Sequence, residues 1–206
     1  MLKLWGRVNS INVMKVLWAL EELKVPYERV DAGMNFGIVN TPEYKAMNPN
    51  SRVPTIQDGA LTLFESNAIV RYLAAKHGAG TLWPTDPAAR ADSDRWMDWA
   101  STTLQPVVTP VFWGLIRTPA EKRDARAIEA GVAGSAQAME VLEWGLRGKP
   151  YVGGTTLTIG DIIVGAWVHR WYALPIERPT LPNVRAYYER LLERPAYTCW
   201  VATPLS

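Results

Sequence analysis

The chain has 206 residues, 48% of them apolar, and Lys plus Arg at 22 against Asp plus Glu at 20 leaves a formal charge of +2. That length can bury a core in one large domain or two small ones, and a near-neutral balance with no run of five like charges argues against nucleic acid or an anionic membrane surface as partner. One cysteine, Cys199, excludes an internal disulfide, and with only His77 and His169 no Cys/His spacing suggests a metal site.

In chain order, residues 2–5 form a short apolar run, and Val13, Val16, Leu17, Leu20 and Leu23 then recur at helical spacing up to the stop signal Val25-Pro26. The opening MLKLWGRVN lacks a long apolar signal region, which reads as a cytoplasmic protein. Residues 27–30 are a second strand. After a Gly-containing loop, Thr41-Pro42 caps a short helix through about Met47, with proline at the first helical position. Pro54 precedes the strand-like residues 55–57, where a cis Val53-Pro54 bond would turn the Val53 main chain outward. Asp58-Gly59 is a hairpin signal returning the chain along residues 61–64. A helix follows, with Ile69, Val70 and Leu73 on its apolar face. Glu65-Ser66 lies at its start, where unpaired amides and the helix dipole favour an anion. The order strand, helix, strand, helix, strand, strand, helix predicts a small mixed α/β sheet with a right-handed crossover between its first two strands. Residues 52–73 alone could hold a small zwitterionic peptide.

Composition changes near residue 80. Residues 79–86 read as a linker between a first domain, 1–78, and a helical one, 87–206. Asp86-Pro87 starts a helix carrying Trp96 and Trp99, which Pro106 and Pro110 should break or kink before Phe112 and Trp113. Thr118-Pro119-Ala120-Glu121 reads as a capping box opening a helix that ends near Gly145. In LTIGDI a sharper box pairs Thr158 with Asp161, and Leu157 can pack on Ile162 as a staple. The apolar run 158–176 is interrupted by Asp161, His169 and Arg170, so it does not read as a membrane span.

These motifs together resemble the cytosolic glutathione transferases over nearly the whole chain. RVPT and FESNAIVRYL resemble that family's glutathione-binding segments, TIGDI its structural capping motif, and LPNVRAYYERLLERPAY its C-terminal helix. The resemblance implies a thioredoxin-like N-terminal domain joined to an all-helical C-terminal domain. It also implies a homodimer, glutathione as co-substrate and a serine-type bacterial-like member, with no metal.

The chemistry needs a thiol held as thiolate, and a free thiol has a pKa of about 8.5. Ser10 lies between the first strand and the first helix, where a hydroxyl donor and the positive helix end both favour negative sulfur. A lone Ser at that place is ordinarily just a cap. By resemblance, Ser10 in NSINVMKVL matches the activating serine of the serine-type classes, and Asn12 is a second donor in the same turn; Ser10 ranks first and Asn12 second. The resemblance further implies that the Val53 main chain pairs with the cysteinyl part of glutathione and that Pro54 is cis. In the same way, Ser66 and its amide hold the γ-glutamyl carboxylate, Glu65 pairs with the ammonium, and Arg52 meets the glycyl carboxylate.

Phe36, Trp99, Phe112 and Trp113 are candidates for an apolar wall, but aromatics at helical spacing belong to cores more often, and they are left out of the site. Cys199 lies far along the chain from Ser10 and reads as structural. The serine-serine-cysteine pattern of the maleylacetoacetate isomerase class is missing. Three readings stand: conjugation of glutathione thiolate to small, electrophilic, hydrophobic compounds; glutathione-dependent reduction of a peroxide or disulfide; and a noncatalytic binding or scaffold protein.

Overall fold

The structure is a computed structural model that describes residues 1–206. The chain divides into two compact units, Met1–Trp83 and Pro84–Ser206. The boundary falls inside the segment read as linker. Residues 79–83 go with the first unit, where Ala79 bridges Trp83 and Trp83 donates its amide to the Gly78 carbonyl.

The first unit runs β1 (Leu2–Trp5), α1 (Ile11–Glu22), β2 (Tyr27–Val30), a 3₁₀ turn (Met34–Phe36), α2 (Pro42–Met47), β3 (Thr55–Asp58), β4 (Leu61–Phe64) and α3 (Ser66–His77). Its sheet has the order β2-β1-β3-β4, with β1 parallel to β2 and the other pairs antiparallel, a thioredoxin-like arrangement. Helix α1 forms because Val13, Val16, Leu17 and Leu20 share one apolar stripe, and all four are fully buried. The helix ends where Lys24 turns left-handed ahead of Pro26. It packs on α3, whose Ile69, Val70 and Leu73 are equally buried. At about 1.5–3 kcal/mol for each such side chain, this contact holds α1 and α3 together. Thr41 caps α2 by accepting from the Tyr44 amide at 3.3 Å, and the β3-β4 hairpin turns on Gly59 and Ala60, with Gly59 at φ +60°.

The second unit is helical: α4 (Pro87–Trp99), α5 (Gln105–Phe112), α6 (Ala125–Gly145), α7 (Ile159–Ala173), α8 (Pro182–Leu192) and α9 (Pro195–Trp200). Helix α7 is buried on every side from Ile159 through Trp171, so it is the axis on which α4, α5 and α8 pack. Asp86 caps α4 through the Ala89 amide.

Two expectations are refined in this unit. Pro106 and Pro110 lie where the α-helical bonding is interrupted, and the helical path itself continues through them. A π-helical turn over Ala100–Leu104, closed by a bond from the Gln105 amide to the Ala100 carbonyl, leads directly into α5, and Pro106 falls in the first turn of α5, where a missing N–H is tolerated. The Thr118 box does not open α6. Residues 120–122 make a single 3₁₀ turn, and Asp124 is the true cap, accepting from the Ala127 amide at 3.0 Å. Arg123 meanwhile donates to the carbonyls of Thr118 and Leu115, so the segment between them closes the π-helical stretch Trp113–Arg117 that continues α5 rather than starting the next helix.

Candidate active site

The strand register gathers the candidate residues at one end of the sheet. Trp5 is level with Thr55, and Thr55 with Phe64. Beyond that row the chain leaves β1 toward Ser10, enters β3 from Val53-Pro54, and leaves β4 into Glu65-Ser66. Helices α1 and α3 both begin here, so two sets of unpaired amides and two positive dipole ends share the same end of the unit. Gly6 makes the first exit feasible. A Cβ there would lie 2.4 Å from Cγ2 of Val13, so only glycine lets β1 pass so close to α1.

Ser10 is buried, with 8% of its surface exposed, and it caps α1 with its backbone alone. Its carbonyl accepts from the amides of Val13 and Met14 at 2.9 and 2.8 Å, while its hydroxyl makes no capping bond. Half-buried Asn12 accepts at Oδ1 from the Nζ of Lys15 at 3.0 Å.

The Val53–Pro54 peptide bond is cis. Two residues that sequence reasoning passed over brace this segment. The Tyr44 hydroxyl donates to the Arg52 carbonyl at 2.7 Å, and the Asn48 amide donates to the same oxygen at 2.9 Å. Both also reach the Thr55 hydroxyl, at 2.8 and 3.1 Å. Burial raises the Tyr44 phenol pKa, which keeps the hydroxyl a neutral donor. The capped α2 that places Tyr44 was legible in sequence, but its carbonyl target across the loop was not. Arg52 itself points its side chain to solvent.

Glu65 is the N-cap of α3 with φ +71°, a left-handed backbone that costs a non-glycine residue about 1–2 kcal/mol. Its side chain is exposed, and Ser66, the first helical residue, is buried. A fourth segment reaches this end. Gly33, at φ +85°, has the Arg7 guanidinium and the Val53 methyl groups against its open Cα side, and Met34, Gly37 and Ile38 in the same loop are also left-handed. Exposed Phe36 sits on that loop.

Of the other aromatic candidates, all in the second unit, Phe112 is buried under the Arg170 guanidinium at 3.9 Å, Trp99 is half-buried and Trp113 is half exposed. Cys199 is corrected: it is exposed on α9 and packs in no core. No three His, Cys, Asp or Glu side chains gather as a metal-binding group.

A thioredoxin-like unit with a cis proline beside two helix starts, followed by an all-helical unit, defines the two-unit class to which the architecture assigns the chain. Comparison with known proteins narrows that class. Residues 1–75 match the model of the glutathione S-transferase N-terminal domain and residues 125–190 that of the C-terminal domain. The chain is 42% identical to glutathione S-transferase GstB of Escherichia coli strain K12 over the full length of both. It is similar to a solved theta class glutathione S-transferase of Xanthomonas axonopodis pv. citri with glutathione bound. That match has a TM-score of 0.96 and 47% identity, and covers 100% of this chain and 99% of the other. Maize glutathione S-transferase 3 is 31% identical, over 98% of this chain and 93% of its own. The chain belongs to the glutathione S-transferase family.

Proposed function

We propose that the chain transfers the thiol of glutathione to small, electrophilic, hydrophobic compounds, with Ser10 as the principal activator of the sulfur. The observation that carries this reading is the Ser10 hydroxyl. It stands at the start of α1 with no capping duty, at the sheet end shared by Val53-Pro54 and Glu65-Ser66. The names of the full-length relatives support transferase activity, and the glutathione bound in the Xanthomonas protein supports the co-substrate.

In this reading glutathione supplies the nucleophilic sulfur, and the residues of the chain bind it and lower its pKa. Ser10 donates its hydroxyl hydrogen to the sulfur, with the α1 amides and the Asn12 NH2 as further positive partners. Holding a thiol about two units below its free value needs about 2.7 kcal/mol. One charge-assisted hydrogen bond at about 1.5–3 kcal/mol, with a helix end adding about 0.3–1, reaches that amount. The Val53 main chain takes the cysteinyl backbone as a short added strand, and the cis Pro54 bond turns it outward. Ser66 meets the γ-glutamyl carboxylate with its amide and hydroxyl, Glu65 pairs with the ammonium, and Arg52 faces the glycyl carboxylate. The family resemblance supports a cytoplasmic homodimer acting in detoxification, and sedimentation would check the dimer.

A glutathione-dependent panel of aryl halides, peroxides and mixed disulfides tests the reaction class, together with titration of the bound thiol. Turnover of aryl halides with a depressed thiol pKa is the expected result. Turnover of peroxides or disulfides alone would move the chain to the reductase reading. An unshifted thiol with no turnover would leave a scaffold.

A further inference from the structure

Helix α1 carries one charge where its packing calls for none. From Val13 to Leu20 every position is buried, and seven of these eight side chains are apolar; the eighth is Lys15, 1% exposed. Lysine is almost never buried to this extent without a dedicated partner. It also stands in the second turn from the positive end of α1, where the dipole disfavours a cation. Folding alone would favour Leu or Met there. What the ammonium does can be read from its geometry. Helical side chains lean toward the N-terminus, so Lys15 reaches back three residues and gives a hydrogen to Asn12 Oδ1 at 3.0 Å.

An amide side chain has one acceptor end and one donor end. With Oδ1 held by the ammonium, the NH2 of Asn12 is the end left to donate, in the turn that begins with Ser10. We propose that Lys15 is a positioning residue: it locks the Asn12 amide so that its NH2, and not its carbonyl, is presented to the glutathione sulfur. An amide free to rotate would offer an acceptor oxygen to a thiolate about as readily, which repels the charge the site must hold. This inference rests on the glutathione-transferase reading above, and it makes Asn12 a second donor whose orientation is set from inside the helix.

The experiment measures the thiol pKa of bound glutathione, by thiolate absorbance, with kcat and KM, in wild type, Lys15→Met, Asn12→Ala and the double variant. A wild-type thiol no more acidic than free glutathione would refute the transferase reading itself. Given a depressed wild-type value, Lys15→Met should raise it and lower kcat about tenfold with little change in KM for glutathione, as loss of one charge-assisted hydrogen bond predicts. The double variant should be no worse than Asn12→Ala. Wild-type behaviour of Lys15→Met, or losses that multiply in the double variant, would overturn the proposal. Two further variants apply if Lys15→Met does not fold. Lys15→Arg, which keeps charge and reach, should retain the wild-type thiol pKa. Asn12→Asp keeps the lysine contact but loses the donor, and should raise that pKa at least as far as Asn12→Ala. Retention of the wild-type value in Asn12→Asp would equally overturn it.

Discussion

Helices α1 and α7 start alike in sequence, each with a hydroxyl residue ahead of an apolar run, yet their polar groups are spent in opposite ways. At α7 everything is consumed internally. The Asp161 carboxylate, fully buried, accepts from the amides of Val152 and Thr158 at 2.9 and 2.8 Å and from the Thr158 hydroxyl at 3.0 Å. The Ser93 hydroxyl ties the same cluster to α4, donating to Thr158 Oγ1 and accepting from the Gly160 amide. A Cβ on Gly160 would lie 2.5 Å from the Ser93 carbonyl, so the glycine of TIGDI is there for close helix approach. At α1, by contrast, the Ser10 hydroxyl takes no capping bond and the strained Glu65 stands nearby at the start of α3. A helix start that folds the chain closes its own network. Under the proposed function, the open start at α1 leaves its donor for a ligand and tolerates the cost.

The comparison is broken most forcefully at the closed end. Asp161→Ala should cost about 3 kcal/mol or more, because two buried amides each lose their acceptor at about 1–3 kcal/mol. Urea denaturation measures it, and glutathione affinity of the folded protein should not change. A loss under about 1 kcal/mol would mean that the box is dispensable.

The same carboxyl gives the fold a pH dependence of slightly smaller size. Burial raises its pKa from 3.8 to about 6 against the opposing hydrogen bonds of Val152 and Thr158. Between those values the folded chain keeps a proton that the unfolded chain releases. The contribution of Asp161 to stability is therefore greatest below the unfolded value and declines as pH rises through the folded one, by about 3 kcal/mol in all. Asp161→Asn should flatten that slope between about pH 4 and 6. A slope unchanged in the variant would assign it to other groups.

Ser10→Ala sharpens the open end. Because the hydroxyl caps nothing, the expected stability change is under about 0.5 kcal/mol, below the usual value of a serine cap. Turnover should fall about 10- to 100-fold, the worth of one charge-assisted hydrogen bond, with glutathione affinity nearly constant. The outcome that reverses the comparison is a large loss of stability with unaltered turnover, which would make Ser10 an ordinary cap like Thr158.

Much of this contrast was legible in the sequence because it rests on local chemistry. The stripe of α1, the Thr41 and Asp86 caps, the hairpin and the TIGDI box are each set by residues within a few positions of one another. Where two local signals competed, reading was harder. Thr118-Pro119-Ala120-Glu121 and Asp124 both resemble helix starts, and Arg123, which closes the π-helical stretch Trp113–Arg117, decides for Asp124. The rest depends on partners distant in the chain or on backbone angles. Tyr44 and Asn48 bracing the Arg52 carbonyl, the left-handed loop at Gly33, and the burial of Lys15 leave no mark in spacing. Nor does Glu65 announce its φ, since its place before an apolar helix is equally suited to an ordinary extended cap.

That φ permits the smallest and most discriminating test. Glu65→Gly removes the steric cost of a left-handed non-glycine residue, and should stabilise the fold by roughly 1 kcal/mol, less whatever the added freedom of the unfolded glycine takes back. Under the proposed function it also removes the partner of the glutathione ammonium, so affinity should fall about tenfold, the worth of one charge-assisted hydrogen bond. Glu65→Ala should weaken binding equally while leaving the strain in place. Opposite signs in stability and affinity for the glycine variant would establish that the open helix start holds its strain for the ligand. If both fall together, the left-handed turn is instead maintained by contacts of the Glu65 side chain, and the contrast between α1 and α7 would not extend to α3.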